Sequence, residues 1–256
     1  MAANDHLRVA AIIPARYAST RFPGKVIAML GDRPVVAHTY ARACGATLVD
    51  EVVVATDDER VVEALAPYNI PIVMTRPDHP SGTDRIAEAA AAIEADIIVN
   101  VQGDEPVVDP HTIDAAVKAL LDDPSIPMGT ARRRITDADL IANPNVVKVI
   151  TDIRGRAIYF SRHPIPFIRE EADRAAASAE CYYQHIGLYV FRRDFLFEYA
   201  RMAPTPLERL ERLEQLRVLE NGHAIAVVDT DYVSLGIDTP EDLAHVNALM
   251  QAGKVL

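Results

Sequence analysis

The sequence has little cysteine and no long apolar run, and both absences narrow the class of protein. Only two of the 256 residues are cysteine, so no disulfide framework can form. Cys44 and Cys181 are not in CxxC spacing, so no zinc or redox site is indicated, and we expect both thiols to be buried and inert. No apolar run approaches the roughly 18 residues of a membrane span, and the N-terminus shows no apolar signal core. We therefore expect a cytoplasmic protein without membrane insertion.

Several catalytic signatures are also missing. No two of the 11 glycines are separated by a single residue, so a dinucleotide-binding Rossmann loop is unsupported. The chain contains no GxSxG, no HExxH and no kinase catalytic signature. Hydride transfer, nucleophilic serine chemistry and zinc hydrolysis are therefore disfavoured.

Positive charge is in deficit as well. The chain has 26 Lys and Arg against 37 Asp and Glu, a formal net charge of −11. This balance argues against a dedicated nucleic-acid-binding protein, which must neutralise phosphates. It leaves room for a small anionic substrate if cations are concentrated in one place.

What is present is an alternation of short apolar runs and helix-length amphipathic stretches. The predicted strands are Leu7–Ile13, Glu51–Thr56, Ile70–Met74 and a run from Asp96. The predicted helices are Pro34–Cys44, one capped by Thr56 with Glu59 completing a capping box, Thr83–Ile93 and Pro110–Leu121. This order predicts an α/β fold with a mostly parallel sheet covered by helices on both faces. Ligands bind such sheets beyond the carboxyl ends of the strands.

The second half of the chain differs. Apolar and polar positions alternate around Asp152–Arg156, which predicts a hairpin with Gly155 at the turn. Further predictions are a surface excursion at Arg169–Glu180, a strand at Ile186–Phe191, a helix at Pro206–Glu220 and a capping box at Thr239–Asp242. We expect residues 1–256 to form a single domain, in which about 130–200 form a smaller antiparallel lobe.

A basic loop follows the first predicted strand. Between Pro14 and Lys25 the chain has no acidic residue. It carries three cations, two hydroxyls and one glycine, namely Arg16, Arg21, Lys25, Ser19, Thr20 and Gly24. Fixed cations with backbone N–H groups suit a polyphosphate. The loop is not a Walker A motif, and a solvated basic loop is the alternative interpretation.

Carboxylates follow at two other places. Asp104 comes directly after Gly103 at the end of the fourth predicted strand, and Asp238 precedes the capping residue Thr239. Two such aspartates could hold one Mg²⁺, with water and substrate completing its shell. Asp242 is better explained as a helix cap, and ordinary turns are the alternative for both segments.

Three other segments carry weaker signals. Ser81 and Gly82 can cap the next helix, and such a helix N-terminus also offers N–H groups to an anion. His185 fits a satisfied core residue as well as a ligand. Lys148 and Arg162 fit surface charges as well as binding groups.

Taken together, these motifs resemble the 3-deoxy-manno-octulosonate cytidylyltransferase family, which has a nucleotidyltransferase-like fold. The resemblance runs from about Ala11 to Met250. The segments that carry it are IIPARYASTRFPGK, SGTDR, VNVQGDEP, NPNVVKV, YFSR, HIGLY, LEQLR and GIDTPED.

The resemblance implies a reaction and a set of residues. CTP and the sugar acid 3-deoxy-manno-octulosonate (Kdo) would give CMP-Kdo and pyrophosphate, the activation step for lipopolysaccharide assembly, with Mg²⁺ as cofactor. The implied triphosphate and nucleotide residues are Arg16, Ser19, Lys25, Arg76, Ser81, Gly82 and Gln102, and the implied metal ligands are Asp104 and Asp238. The implied catalytic residues are Arg16, Lys25, Asp104 and Asp238, and the implied sugar residues are Gln102, Arg162, His185, Glu214 and Gln215.

Members of the family are usually homodimers built through the second lobe. Cytidylyl transfer to another acid sugar, such as sialic acid, is the nearest alternative. A non-catalytic nucleotide-sugar binding protein is the alternative from a different class.

Overall fold

The computed structural model describes residues 7–79, 81–170 and 181–255. Most of the predicted surface excursion, residues 171–180, and the first six residues lie outside the described residues. The chain divides into two compact units. Unit 1 contains the described residues up to Asp114, Phe191–Ala200 and the residues from Ser234 onward, and unit 2 contains Ala115–Val190 and Arg201–Val233. The expected single domain with an antiparallel lobe stays a prediction.

The bounds of the elements are as follows. The strands are β1 (Val9–Pro14), β2 (Met29–Leu30), β3 (Arg33–Pro34), β4 (Glu51–Thr56), β5 (Ile72–Met74), β6 (Ile97–Asn100), β7 (Met128–Arg134), β8 (Lys148–Thr151), β9 (Ala157–Ser161), β10 (Tyr183–Arg192) and β11 (Ile225–Thr230). The helices are α1 (Val35–Ala43), α2 (Glu59–Leu65), α3 (Gly82–Ala91), α4 (Pro110–Asp122), α5 (Ala138–Ala142), α6 (Arg193–Tyr199), α7 (Pro206–Glu211), α8 (Leu216–Glu220) and α9 (Pro240–Gln251). Short 3₁₀ turns lie at Lys25–Ile27 and Ala66–Tyr68.

Unit 1 contains a parallel sheet with the strand order β6-β1-β4-β5. Strand β1 lies between β4 and β6, and its residues from Val9 to Ile13 are at most 1% exposed. A strand buried on both faces needs a continuous apolar run instead of an alternating one, which is why VAAIIP forms this strand. Helices α1 and α3 pack against β1 and β4. The predicted α/β fold with a mostly parallel sheet is confirmed.

The carboxyl ends of these parallel strands form the edge at which the sequence predicted the chemistry. Gly103 shows how closely two of the following loops approach, because a Cβ at this position would lie 2.6 Å from the Pro14 carbonyl oxygen. Any side chain there would force the backbone apart. Glycine therefore allows the loop after β6 to lie directly against the end of β1, where the basic loop begins.

Unit 2 combines antiparallel and parallel pairing. Strands β8 and β9 form the predicted hairpin, in which Gly155 adopts a φ of 75°. Strand β8 also pairs antiparallel with β10, which contains the predicted strand at Ile186–Phe191. Strands β7 and β11 run parallel, with Ile225 opposite Met128. This second parallel pair was not predicted.

Two helix predictions were wrong in detail. The cap of α2 is Asp58, whose carboxylate accepts from the Arg60 N–H at 3.0 Å, whereas Thr56 stays in β4 and is fully buried. The predicted helix Pro206–Glu220 is broken into α7 and α8 at Arg212, whose φ is 55°. The carbonyls of Glu211 and Arg212 accept from the Arg162 guanidinium at 2.7 and 3.4 Å, so they are not available to a continuous helix.

The burial expectation for the two cysteines was also wrong, and one of the two alternatives for Lys148 is excluded. Lys148 is fully buried, so it is not a surface charge. Cys44 and Cys181 are both exposed and not buried. In the part of the chain that the structure describes, no helix has both the length and the apolar composition needed to cross a membrane.

Candidate active site

A lysine and two aspartates from distant parts of the sequence meet in unit 1. The Lys25 ammonium donates to the Asp104 carboxylate and to Asp238 Oδ1, the latter at 2.8 Å. These side chains are 13%, 27% and 46% exposed, so the cluster is partly shielded and still reachable from solvent. Arg21 adds a second cation, with its guanidinium 2.9 Å from Asp238 Oδ2.

Local backbone geometry explains the position of Lys25. Gly24 has a φ of 75° and donates its N–H to the Tyr17 carbonyl at 2.8 Å, which closes the basic loop. A Cβ on Gly24 would lie 3.0 Å from the Tyr17 ring. The left-handed conformation and the close ring together require glycine here. Lys25 then begins a 3₁₀ turn that aims its side chain at the carboxylates.

Two aspartates in the 238–242 segment make different contacts, and Asp242 is the helix cap that the sequence predicted. The Asp242 carboxylate accepts from the N–H groups of Asp238 and Thr239 at 3.0 and 2.9 Å and completes the capping box of α9. The Asp238 side chain instead faces the cations Arg21 and Lys25. The segment is joined to the Asp104 loop by the Ile237 N–H, which donates to the Asp104 carbonyl at 2.9 Å.

The electrostatics of this cluster favour charged forms. Burial by itself would lower the pKa of Lys25, but the attraction of Asp104 and Asp238 outweighs it and raises that pKa above its usual value. Lys25 therefore stays a full ammonium ion at neutral pH. The formal charges of Lys25, Arg21 and the two carboxylates sum to zero.

The donor set can be compared with the needs of Mg²⁺. The position between two carboxylates is already filled by a cation in the form of the Lys25 ammonium. Within the described ranges, no group of three or more His, Cys, Asp or Glu side chains is arranged so that it could hold a metal ion. Two carboxylates fit Mg²⁺, which takes one or two carboxylates, keeps several waters and accepts phosphate oxygens.

Arg16 and Ser19 belong to the same loop but not to this cluster. Arg16 is exposed and Ser19 is half-buried. Among the residues that the structure describes, no hydrogen bond or ion pair joins either of them to Lys25, Asp104 or Asp238. They stay predicted phosphate contacts.

The segment after β5 is held by two anchors. Glu88 on α3 accepts from the Arg76 N–H at 3.2 Å and bonds to the His79 ring. The Arg85 guanidinium, which is almost fully buried, donates to Thr75 Oγ1 at 2.5 Å and pairs with Asp57 at 3.0 Å. Both anchors tie this segment to α3.

The remaining residues of the predicted nucleotide side lie near the strand ends. Ser81 is the N-cap of α3 and accepts from the Asp84 N–H at 3.2 Å, as predicted for a helix cap. A Cβ on Gly82 would lie 3.8 Å from Pro14. Gln102 follows β6 and donates to the Asn100 side chain at 3.0 Å.

Of the five predicted sugar residues, Gln102 lies in unit 1, and the other four lie in unit 2. Arg162 donates from its guanidinium to the carbonyls of Glu211, Pro144 and Arg212. His185 is buried and bonds through Nε2 to the Thr130 hydroxyl at 2.9 Å, and burial lowers its pKa to about 3. It is therefore a neutral hydrogen-bonding group at neutral pH.

Glu214 and Gln215 differ sharply in exposure. Glu214 is exposed, whereas Gln215 is 2% exposed. Tyr189 donates its hydroxyl to Gln215 Oε1 at 3.2 Å, and the buried Nε2 of Gln215 has no hydrogen-bond partner among the described residues. A buried amide donor without a partner is costly and is typical of a position completed by a ligand or water.

Comparison with known proteins identifies the family. The sequence model described as "Cytidylyltransferase" matches residues 10–225. The chain belongs to the cytidylyltransferase family. The 3-deoxy-manno-octulosonate cytidylyltransferases of Solibacter usitatus and Geobacter metallireducens are 54% and 55% identical to it, and these matches cover 96% and 94% of this chain and 95% and 96% of theirs.

A solved structure agrees in fold. It is a CMP:2-keto-3-deoxy-manno-octonic acid synthetase in complex with CTP, 40% identical, with a TM-score of 0.89 over 96% of this chain and 99% of that one. The resemblance to 3-deoxy-manno-octulosonate cytidylyltransferases seen in the sequence motifs is confirmed.

In this cytidylyltransferase, sequence reasoning missed one member of the charged cluster. Arg21 was recognised as a cation of the basic loop but not placed at the site, although its guanidinium pairs with Asp238. The sequence feature that could have indicated a role for Arg21 is its position between Ser19 and Lys25 in the basic loop. The contact itself depends on a partner distant in sequence, so no local pattern could show it.

Proposed function

We propose that this cytidylyltransferase transfers CMP from CTP to the anomeric hydroxyl of Kdo, which gives CMP-Kdo and pyrophosphate and activates Kdo for lipopolysaccharide biosynthesis. The observation that carries the proposal is the pairing of Asp104 and Asp238 with the cations Lys25 and Arg21 in unit 1. The names of relatives more than half identical in sequence support Kdo as the acceptor.

The reaction exchanges a phosphoanhydride bond of CTP for a phosphoester bond to the sugar. The hydroxyl oxygen of Kdo attacks the α-phosphorus, the new O–P bond forms, and the bond from the α-phosphorus to the bridging oxygen breaks. Pyrophosphate leaves with the electron pair, and the hydroxyl proton passes to solvent. Such a displacement depends mainly on alignment and charge neutralisation, so it does not require a protein nucleophile.

The residues of unit 1 supply charge and position in this proposal. Lys25 and Arg16 offset the charge of the triphosphate, with Ser19 as a further contact. Asp104 and Asp238 would hold Mg²⁺. When bound, this ion neutralises phosphate charge and lowers the pKa of the attacking hydroxyl.

The remaining nucleotide contacts are assigned to segments next to the strand ends. Arg76, Ser81, Gly82 and Gln102 would contact the nucleotide, and Gln102 would contact the sugar as well. Ser81 and Gly82 lie at the N-terminus of α3, and the N-terminal end of a helix suits an anion or a base edge.

The residues of unit 2 are assigned to the sugar. Arg162 has a planar fork suited to the carboxylate of Kdo, and the unpartnered Nε2 of Gln215 supports a ligand at that position. His185 would contribute a neutral hydrogen bond, and Glu214 would accept from hydroxyls. A homodimer built through the segment at about 130–200 and a cytoplasmic location complete the proposal.

The test is product formation with several acceptors. The purified protein is mixed with CTP, Mg²⁺ and either Kdo or sialic acid, while pyrophosphate and the CMP-sugar are measured. We expect rapid release with Kdo and little with sialic acid. Release with sialic acid alone would replace the acceptor, and no release with any sugar acid would favour the non-catalytic binding protein.

A further inference from the structure

The Lys25 ammonium occupies the place between the two carboxylates that are assigned to the metal. It donates to both Asp104 and Asp238, and Arg21 pairs with the outer oxygen of Asp238. Each carboxylate of the proposed metal site is thus already bonded to a cation that the chain itself provides.

An ammonium and a divalent ion compete for the same carboxylate oxygens. The pairing is partly shielded, since Lys25 is 13% and Asp104 27% exposed, so solvent screens it less than a surface ion pair. A divalent ion entering this neutral cluster would face the repulsion of Lys25 and would leave its own charge uncompensated. The protein by itself therefore disfavours the metal.

A polyphosphate changes both conditions at once. Its oxygens accept from an ammonium as well as carboxylates do, and its charge compensates a divalent ion. Lys25 can follow it, because its charge is carried on a flexible four-carbon stem. Binding of the triphosphate would then free Asp104 and Asp238 as it supplies the remaining metal ligands.

We propose that Lys25 is a built-in counter-ion that closes the metal site of the nucleotide-free protein, and that a polyphosphate opens this site by taking over the ammonium. The proposal rests on the proposed function, because it uses the same carboxylates and the same triphosphate.

The first experiment titrates Mn²⁺ into nucleotide-free protein and measures free Mn²⁺ by electron paramagnetic resonance. Lys25→Met should bind Mn²⁺ about tenfold or more tightly than the wild type, because one repelling and competing charge is gone. Lys25→Arg keeps the charge and should behave as the wild type. Lys118→Met removes a lysine whose Asp122 pair is exposed, and it serves as the matched control.

A second readout uses stability. Without Lys25, less positive charge offsets the repulsion between the Asp104 and Asp238 carboxylates. The melting temperature of Lys25→Met in EDTA should therefore fall. Mn²⁺ should raise it more than it raises that of the wild type, because ligand binding stabilises the folded state. Arg21→Gln should show the same effects more weakly, since Arg21 is 65% exposed and pairs with one carboxylate.

The role of the polyphosphate is tested in the absence of metal. In EDTA, Asp104→Asn should bind CTP more tightly than the wild type in calorimetry, because Lys25 then has one competing partner fewer. Weaker or equal binding would overturn the opening step.

Other outcomes decide the rest. Equal Mn²⁺ affinity in wild type and Lys25→Met, or saturable binding in neither, would overturn the closed site. These measurements contain no Kdo, so they test the counter-ion role of Lys25 independently of the proposed reaction. If the wild type forms CMP-Kdo but Lys25→Met does not bind Mn²⁺ more tightly, the counter-ion role of Lys25 is rejected and the proposed enzymatic activity stands.

Discussion

Lysines 25 and 148 are held in different ways by the two units of this chain. In unit 1, Lys25 bonds to two carboxylates and remains 13% exposed. In unit 2, Lys148 is fully buried, and its ammonium donates to the carbonyls of Asn143, Val146 and Arg162 at 3.0, 2.6 and 2.5 Å. All three N–H bonds of Lys148 are thereby used within the fold.

The two arrangements have opposite electrostatic consequences. Carboxylates raise the pKa of Lys25, whereas burial lowers the pKa of Lys148 and outweighs the opposing attraction of Glu211, with a smaller lowering by Arg162. A lysine paired with carboxylates that are partly exposed can change partners when an anion or a metal arrives. A lysine bonded to three backbone carbonyls cannot leave without removing the donor from three partly buried acceptors. We infer that Lys25 in unit 1 can exchange its carboxylate partners for a ligand, whereas Lys148 in unit 2 stabilises the fold.

The largest expected effect is on the carboxylates of unit 1. Asp104→Asn should lower kcat by about a hundredfold or more, because it removes a charged metal ligand where the phosphate charge must be neutralised. Asp238→Asn should act in the same direction. Pyrophosphate release gives the rate, and circular dichroism checks the fold. Wild-type activity in either variant would reject the metal assignment, and Asp122→Asn, an exposed aspartate paired with Lys118, is the control.

The next effect concerns Lys25 itself. Lys25→Ala should weaken use of CTP by about 2–5 kcal/mol, since a partly desolvated charge contact to the triphosphate is lost. The dependence of the rate on CTP concentration measures this change. An unchanged CTP dependence would count against the role of the basic loop.

Removing the lysine ammonium in unit 2 should lower the free energy of unfolding. Lys148→Met leaves three partly buried carbonyls without their donor and should reduce the free energy of unfolding by about 3 kcal/mol. Urea denaturation measures the loss. Lys118→Met should change stability by no more than about 0.5 kcal/mol. If Lys148→Met were equally silent, the contrast between the two lysines would be wrong.

The smallest effect is the pH dependence that His185 contributes. Its folded-state pKa, about 3, lies below the ordinary value of 6.5, so its stabilising contribution is complete above 6.5 and is lost as the pH falls toward 3. Below 6.5 this loss is about 1.4 kcal/mol per pH unit. His185→Gln should therefore lose less stability than the wild type when urea denaturation is repeated at about pH 5 instead of about pH 7.5. Equal losses would show that His185 is not buried as a neutral ring.

The local sequence pattern was sufficient to predict much of the sheet of unit 1. Buried runs such as VAAIIP and EVVVAT predicted β1 and β4 to within a few residues. Because parallel strands end at one edge, the same pattern predicted where Asp104 and the basic loop would be found. Thr239 and Asp242 predicted the start of α9 because a capping box is local.

Prediction from the local sequence pattern failed where contacts between distant residues decide the structure. The periodicity of Pro206–Glu220 is that of one helix, but Arg162 draws two carbonyls out of it and breaks it at Arg212. Lys148 carries no sequence sign of burial, because the carbonyls that accept its bonds come together only in the folded chain.

The amino-acid sequence by itself determined the α/β fold of this cytidylyltransferase, the loops that carry its chemistry and the residue types in them. Apolar runs, caps and motifs are properties of neighbouring residues, so they can be read along the chain. The tertiary structure alone decided that Lys25 lies between Asp104 and Asp238. These partners are 79 and 213 positions away from Lys25. Parallel strands β1 and β6 bring the loops of Lys25 and Asp104 to one edge of the sheet. The Asp238 segment reaches the same place through the hydrogen bond from the Ile237 N–H to the Asp104 carbonyl.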